Sequence, residues 1–277
     1  MFTLNCKGRL LSLEKPIVMG IINATPDSFF TGNRKPEVNA AIDTAGKMLE
    51  DGASILDLGG QSTHPSSTLL SAEEEMERLA PVLEGLVKAF SDSIISVDTF
   101  YSKVAQATID MGASIVNDIS GGNLDKEMIP TVGAMGNVPY VCMHMRGTPQ
   151  TMKTLTQYEN VTLDILDFFI QKTEECRLAG IKDIIIDPGF GFAKNLEQNY
   201  ELMRRLSDFR ILGKSILVGV SRKGMIYRSL GTNGEEALNG TTIINTIALL
   251  NGANILRVHD VKEAMEAIKL VEIYKEK

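Results

Sequence analysis

Met111-Gly112-Ala113-Ser114-Ile115-Val116-Asn117-Asp118-Ile119-Ser120 decides the fold. A helix ends, a glycine turns the chain, an apolar run follows, and a polar residue closes it. Gly112 stands where a left-handed cap is needed, which suits a residue without Cβ. The same phrase recurs as Asp51-Gly52-Ala53-Ser54-Ile55, Ala179-Gly180-Ile181 and Asn251-Gly252-Ala253-Asn254-Ile255.

Working outward, apolar runs rich in Val, Ile and Leu fall at 16–23, 54–60, 94–99, 114–120, 140–144, 183–190, 215–221 and 255–260. Between them lie stretches with apolar residues at helical spacing, at 37–51, 72–90, 160–179, 235–251 and 261–274. Shorter segments follow Thr99 and Ser120. Ser71-Ala72-Glu73-Glu74 has the pattern of a capping box. Eight such alternations predict an α/β fold, a (β/α)₈ TIM barrel. Residues 3–13 alternate loosely and are expected to form a hairpin covering the barrel's bottom. No linker or low-complexity stretch divides the chain, so one domain over 1–277 is expected. An open doubly wound sheet shares the alternation, but the count of eight and the lack of a glycine-rich dinucleotide fingerprint after the first strand favour the barrel. In either fold, ligands bind where parallel strands end.

The composition suits a globular protein with a sizeable core. Of 277 residues, 44% are hydrophobic and 23% charged, and no stretch reaches the roughly 18 apolar residues of a membrane helix. The N-terminus lacks the basic-then-apolar order of a secretory signal. Cys6, Cys142 and Cys176 are odd in number and lack metal-ligand spacing, which points to a reducing, cytoplasmic setting. A net charge of −7 argues against nucleic-acid and anionic-membrane partners. Binding an anion therefore requires local positive charge, and Ser221-Arg222-Lys223 and Arg257/His259 are where it gathers.

The run ends carry the chemistry: Asn23, Thr63, Asp98, Asn117, Asp187, Lys223, Arg257 and His259. Each has an ordinary explanation. Asn23-Ala24-Thr25-Pro26-Asp27-Ser28-Phe29 is rich in turn formers, Gly59-Gly60-Gln61-Ser62-Thr63-His64-Pro65 suits a flexible loop, and aspartates after strands cap helices. Convergence on one mouth gives them a joint meaning. Asn23 offers an amide oxygen to a hard cation that would arrive with phosphate. Asp187 follows three isoleucines, so it is desolvated and needs a partner such as the amide and amine edge of a pterin or guanine. Phe190 and Phe192 can wall such a ring, as can Met143. Alternation sends Arg257 and His259 to one side, where they clamp an anion; an Arg257–Asp salt bridge is the plainer alternative. His144 is expected to be structural.

Asn-Ala-Thr-Pro-Asp-Ser-Phe, Gly-Gly-Gln-Ser-Thr, Ser-Val-Asp-Thr, Asn-Asp-Ile-Ser-Gly, Met-His-Met-Arg-Gly-Thr-Pro, Asp-Pro-Gly-Phe-Gly-Phe, Ser-Arg-Lys and Arg-Val-His-Asp occur in order across nearly the whole chain. Together they resemble the dihydropteroate synthases. The resemblance implies a barrel, usually dimeric, that joins 6-hydroxymethyl-7,8-dihydropterin diphosphate to p-aminobenzoate with Mg²⁺, and that sulfonamides inhibit. It places Asp98, Asn117, Asp187 and Lys223 on the pterin, with Asp98, Asp187 and Lys223 as the catalytic set. It places Asn23 on Mg²⁺, Arg257 and His259 on the diphosphate, and Ser62, Thr63, Pro65 and Phe190 around p-aminobenzoate.

Two positions depart from the family pattern, which usually has Asp at Thr31 and Arg at His64. The resemblance has these residues support each other as two loops close. Thr31 carries no charge and neutral His64 cannot clamp as Arg does. Activity is still expected, because the pterin and anion residues are intact. Rivals are a methyltetrahydrofolate–corrinoid methyltransferase domain, which has no diphosphate to bind, and a non-catalytic pterin-binding paralogue.

Overall fold

A computed structural model describes residues 2–24, 35–61 and 68–276. Strands β1 (Thr3–Cys6) and β2 (Arg9–Ser12) pair as an antiparallel hairpin. Then β3 (Ile17–Asn23), β4 (Ile55–Gly59), β5 (Ile95–Asp98), β6 (Ile115–Asp118), β7 (Tyr140–Met143), β8 (Ile184–Asp187), β9 (Ser215–Val218) and β10 (Ile255–Val258) close a parallel barrel in chain order. Strand β10 pairs with both β9 and β3, which shuts the sheet on itself. The expected eight-stranded barrel and N-terminal hairpin are what the chain forms.

Around it lie α1 (Lys35–Glu50), α2 (Ala72–Ala89), α3 (Ser102–Asp110), α4 (Met128–Met135), α5 (Val161–Leu178), α6 (Leu196–Arg204), α7 (Gly224–Leu230), α8 (Leu238–Leu250) and α9 (Val261–Lys275). The capping box at α2 is complete: Ser71 Oγ accepts the Glu74 N–H, and Glu74 Oε2 accepts the Ser71 N–H. Gly52, Gly112, Gly180 and Gly252 all have positive φ, as the repeated phrase requires. The helix expected over 235–251 starts at Leu238 instead. Asn233 Oδ1 accepts the N–H groups of Glu235 and Glu236 at 2.9 and 3.2 Å, so a local turn competes with the first helical turn.

Alternation along each strand sorts the core into two layers. Outward residues such as Val18, Leu56, Val116, Ile186 and Leu256 pack under the helices. Inward residues Met19, Ile55, Ile115, Val141, Ile185, Leu217 and Ile255 fill the lower barrel against Leu4, Cys6 and Leu13 of the hairpin segment. Lys7 and Gly8, at φ 53° and 94°, form a tight turn that suits the right-handed strand twist. Hydrogen bonds from Asn5 N–H to Asp183 Oδ2 and from Lys7 N–H to the Asn137 carbonyl, each 2.8 Å, pin the plug to the bottom loops. The three cysteines are free and buried. No helix among the described residues is long and apolar enough to cross a membrane.

Candidate active site

Two residues above each lower-layer residue, the same strands carry different chemistry. Ile55 is followed inward by Asp57, Ile115 by Asn117, Ile185 by Asp187, Leu217 by Gly219 and Ile255 by Arg257. These upper residues meet above the apolar plug. Arg257 Nε donates to Asp57 Oδ2 at 2.6 Å, and its Nη2 donates to Asp98 Oδ2 at 2.7 Å. Asn117 Nδ2 donates to the same Asp57 oxygen at 3.1 Å. Gly219 keeps space open between the two sides of the cup. A Cβ there would lie 3.8 Å from Arg257 Cβ and 3.9 Å from Asp187 Oδ2, so both border the room a ligand edge needs.

Asp187 is 5% exposed, and its Oδ1 accepts the Gly189 N–H at 2.8 Å. Burial raises its pKa, against the pull of Lys223. Asp98 is raised by burial and by the Asp57 and Asp118 carboxylates, only partly offset by Arg257. Neither Asp98 nor Asn117 caps a helix, since Asp98 binds Arg257 and Asn117 binds Asp57. The local turn after β6 falls to Asp118, which accepts from Ser120 and Gly122 N–H and from the Tyr140 hydroxyl.

Lys223 precedes α7 and sends Nζ to the Phe190 carbonyl at 2.7 Å, 4.6 Å above the Phe192 ring. Burial lowers its pKa to about 8, opposed by Asp187, so it stays mostly cationic at neutral pH. Arg222 does not join it. Its guanidinium forms a two-point ion pair with Asp260, at 3.0 and 2.6 Å. His259 accepts or donates at Nδ1 to Ser221 Oγ, 3.0 Å away, while Ser221 Oγ accepts the His259 backbone N–H at 3.2 Å. Burial and then Arg257 lower the His259 pKa to about 4.

A cavity of about 760 Å³ opens over this floor, bordered by Asn23, Asp98, Phe190, Lys223, Arg257 and His259. The Phe190 ring itself is fully buried in the barrel–helix core, and its carbonyl is what it gives Lys223. Phe192 supplies the ring under the lysine. His144 lies in the core, edge-on to Phe168 at 4.9 Å. Ser62, Thr63, His64, Pro65 and Thr31 lie outside the described residues.

Two participants were hidden in the sequence. Asp57 sits inside Ile-Leu-Asp-Leu-Gly, where the run reads as plain strand; a lone charge in an apolar strand was the available signal, because it must find a partner. Lys194, 7% exposed, donates to the carbonyls of Gly189 and Phe192, both at 2.9 Å, and lies 3.1 Å from His144 Nδ1. It fixes the turn that carries Phe190 and Phe192. Only its neighbours in space reveal that.

As a whole, the floor presents two carboxylates, Asp98 and Asp187, and an amide to hydrogen-bond donors, and two cations to an anion, with Asp57 buried beneath them. Among the described residues no group of three or more His, Cys, Asp or Glu could hold a metal ion, so a cation here would depend on Asn23 and on oxygens brought by its ligand.

A family model described as "Pterin binding enzyme" matches residues 19–259. The dihydropteroate synthase of Escherichia coli strain K12 is 41% identical over 268 residues, covering 96% of this chain and 94% of its own. The solved dihydropteroate synthase of Xanthomonas albilineans with 4-aminobenzoic acid is 35% identical with a TM-score of 0.91, covering 99% and 98% of the two chains. That of Yersinia pestis in a sulfonamide drug complex is 38% identical with a TM-score of 0.92, covering 99% of each. With the barrel, the acceptor-lined floor and these matches in agreement, the chain belongs to the pterin binding enzyme family, among its dihydropteroate synthases.

Proposed function

We propose that the chain joins 6-hydroxymethyl-7,8-dihydropterin diphosphate to p-aminobenzoate, releasing diphosphate and forming 7,8-dihydropteroate. The observation that carries this is one cup in which buried acceptors (Asp98, Asn117, Asp187) lie beneath Lys223 and Arg257. Asp187 takes the amino-pyrimidine edge of the pterin, and Asp98, Asn117 and Lys223 hold the rest of the ring. Arg257 and His259 receive the diphosphate. Ser221 engages Nδ1 of His259, so the imidazole meets the diphosphate through Nε2, as an N–H donor in the tautomer whose Nδ1 accepts the Ser221 hydroxyl.

Among the described residues the cavity is bordered by no cysteine, which suits dissociation. The methylene C–O bond breaks and its electron pair leaves with the diphosphate. The aniline nitrogen then attacks the methylene and loses a proton. The acidic groups Asp57, Asp98 and Asp187 outnumber the cations Lys223 and Arg257 beneath the pterin, an arrangement placed to favour a developing cation. Ser62, Thr63 and Pro65 are assigned to p-aminobenzoate, with Phe190 contributing its backbone beside Lys223 and not its buried ring. Asn23 borders the cavity and has the hard oxygen that Mg²⁺ prefers. When bound, the ion would neutralise part of the leaving diphosphate's charge.

The protein is proposed to be cytoplasmic, on its three unpaired buried cysteines. It is proposed to form a homodimer through α8. There Ile243, Ile247 and Leu250 make an exposed apolar stripe, and light scattering should give twice the chain mass.

The deciding experiment measures diphosphate release with both substrates and Mg²⁺, for wild type and for the double variant Thr31→Asp/His64→Arg. Product formation by wild type, inhibited by a sulfonamide, is expected, with the double variant at least as fast. Wild-type protein that binds the pterin diphosphate but releases nothing would make the chain a binding paralogue.

A further inference from the structure

Asp57 has no exposed surface and lies on β4, two residues below Gly59. Its Oδ2 alone serves two residues from different strands, Arg257 on β10 at 2.6 Å and Asn117 on β6 at 3.1 Å. Its Oδ1 is buried with no hydrogen-bond partner among the described residues. A carboxylate placed only to neutralise Arg257 would present both oxygens to the guanidinium fork. Here the second point of the fork goes to Asp98 instead.

This sharing fixes two orientations. An ionised carboxylate only accepts, so Asn117 must turn Nδ2 toward Asp57 and keep Oδ1 for a ligand. The floor then presents acceptors throughout: Asp98, Asn117 Oδ1 and Asp187. At the same time Arg257 is held at Nε, near its stem, which sets the direction of the guanidinium plane and leaves Nη1 unengaged among the described residues.

We infer that Asp57 is a positioning residue for the pterin site, locking the Asn117 amide as an acceptor and aiming Arg257 from a single buried oxygen. The inference rests on the pterin chemistry proposed above. Asp57 touches no substrate and acts through the two residues it holds. Neutralising it as Asp57→Asn preserves volume but gives Asn117 a partner that can donate as well as accept, so the amide is free to flip.

Three measurements test this. The KM of Asp57→Asn for the pterin diphosphate should rise at least about tenfold, while that for p-aminobenzoate stays within about twofold. The affinity for 6-hydroxymethylpterin, which lacks the diphosphate, should fall by a similar factor in calorimetry, because the amide faces the ring. In an Asn117→Ala background the same substitution should cost less than about threefold, since coupled residues are not additive. Pterin affinity unchanged in Asp57→Asn, or equal losses for both substrates in folded protein, overturns the inference. If the variant does not fold, nitrogen-15 spectra of ligand-free wild type still decide. One Asn117 side-chain amide proton should be shifted downfield and protected from exchange, and an exchanging, unshifted pair overturns the claim. Wild type that binds no pterin removes the proposed function, and the ligand-free spectra then report on Asp57 independently.

Discussion

The lower and upper halves of the barrel interior are built by the same strands and could hardly differ more. Below, Ile55, Ile115, Ile185, Leu217 and Ile255 meet the hairpin segment's Leu4, Cys6 and Leu13. Above, one side-chain step along each strand, stand Asp57, Asn117, Asp187, Gly219 and Arg257. Each fully buried aliphatic side chain below contributes roughly 1.5–3 kcal/mol. The ion pairs above add little net stability, because desolvating Arg257 and its two carboxylates costs about as much as their attraction returns. The same five strands thus pack an apolar layer at their beginnings and present polar groups or open space at their ends.

Substitutions in the two halves should therefore have opposite signatures, one in stability and the other in rate. Ile185→Ala should lower stability most, by about 2–5 kcal/mol in urea denaturation, with both KM values little changed. Two residues on, Asp187→Ala should cut kcat/KM by at least about 100-fold, as a charge-assisted contact to the ring is lost. Its urea midpoint should not fall, since a poorly solvated carboxylate is removed. A destabilised Asp187→Ala enzyme with normal kinetics would erase the distinction.

Glu75 on α2 is a buried carboxylate outside the strands. It is fully buried, Thr99 donates to its Oε2 at 2.6 Å, and its Oε1 has no partner among the described residues. Burial pushes its pKa from 4.5 up to about 7, against the Thr99 bond. The folded protein thus holds this proton more tightly than the unfolded chain. The resulting stability is full below pH 4.5 and is lost as pH rises through about 7. Glu75→Gln should therefore be about 1–3 kcal/mol more stable relative to wild type at pH 8 than at pH 4, read from paired urea melts. A pH-independent difference would rule out the buried titration. The smallest effect is expected at the mouth: Asn23→Ala should raise the Mg²⁺ concentration for half-maximal rate roughly fivefold, one polar contact's worth.

Much of this was legible beforehand. The glycine-punctuated runs marked the strands to within a residue or two at their starts, because a cap and an apolar onset are local events. The run ends named Asp98, Asn117, Asp187, Lys223 and Arg257, which the fold brings to one cup. Arg257 was expected either to clamp an anion or to pair with an aspartate; the structure shows the pairing, with two aspartates. Asp57 and Lys194 escaped because their meaning lies in partners far along the chain: Arg257 is 200 residues from Asp57, and His144 is 50 from Lys194. Arg222 looked like a third cation for the site until Asp260 claimed it.

By itself the sequence determined the period of the fold, the face each strand residue takes and the kinds of group at each strand's end, since these follow from local propensity and two-residue alternation. Only the tertiary structure decided which carboxylate holds which cation, which carboxylate the Asn117 amide meets, and where a glycine leaves space beside Asp187 and Arg257. Those depend on barrel closure, which sets residues from β4, β6 and β10 within hydrogen-bonding distance, and no local rule encodes that approach.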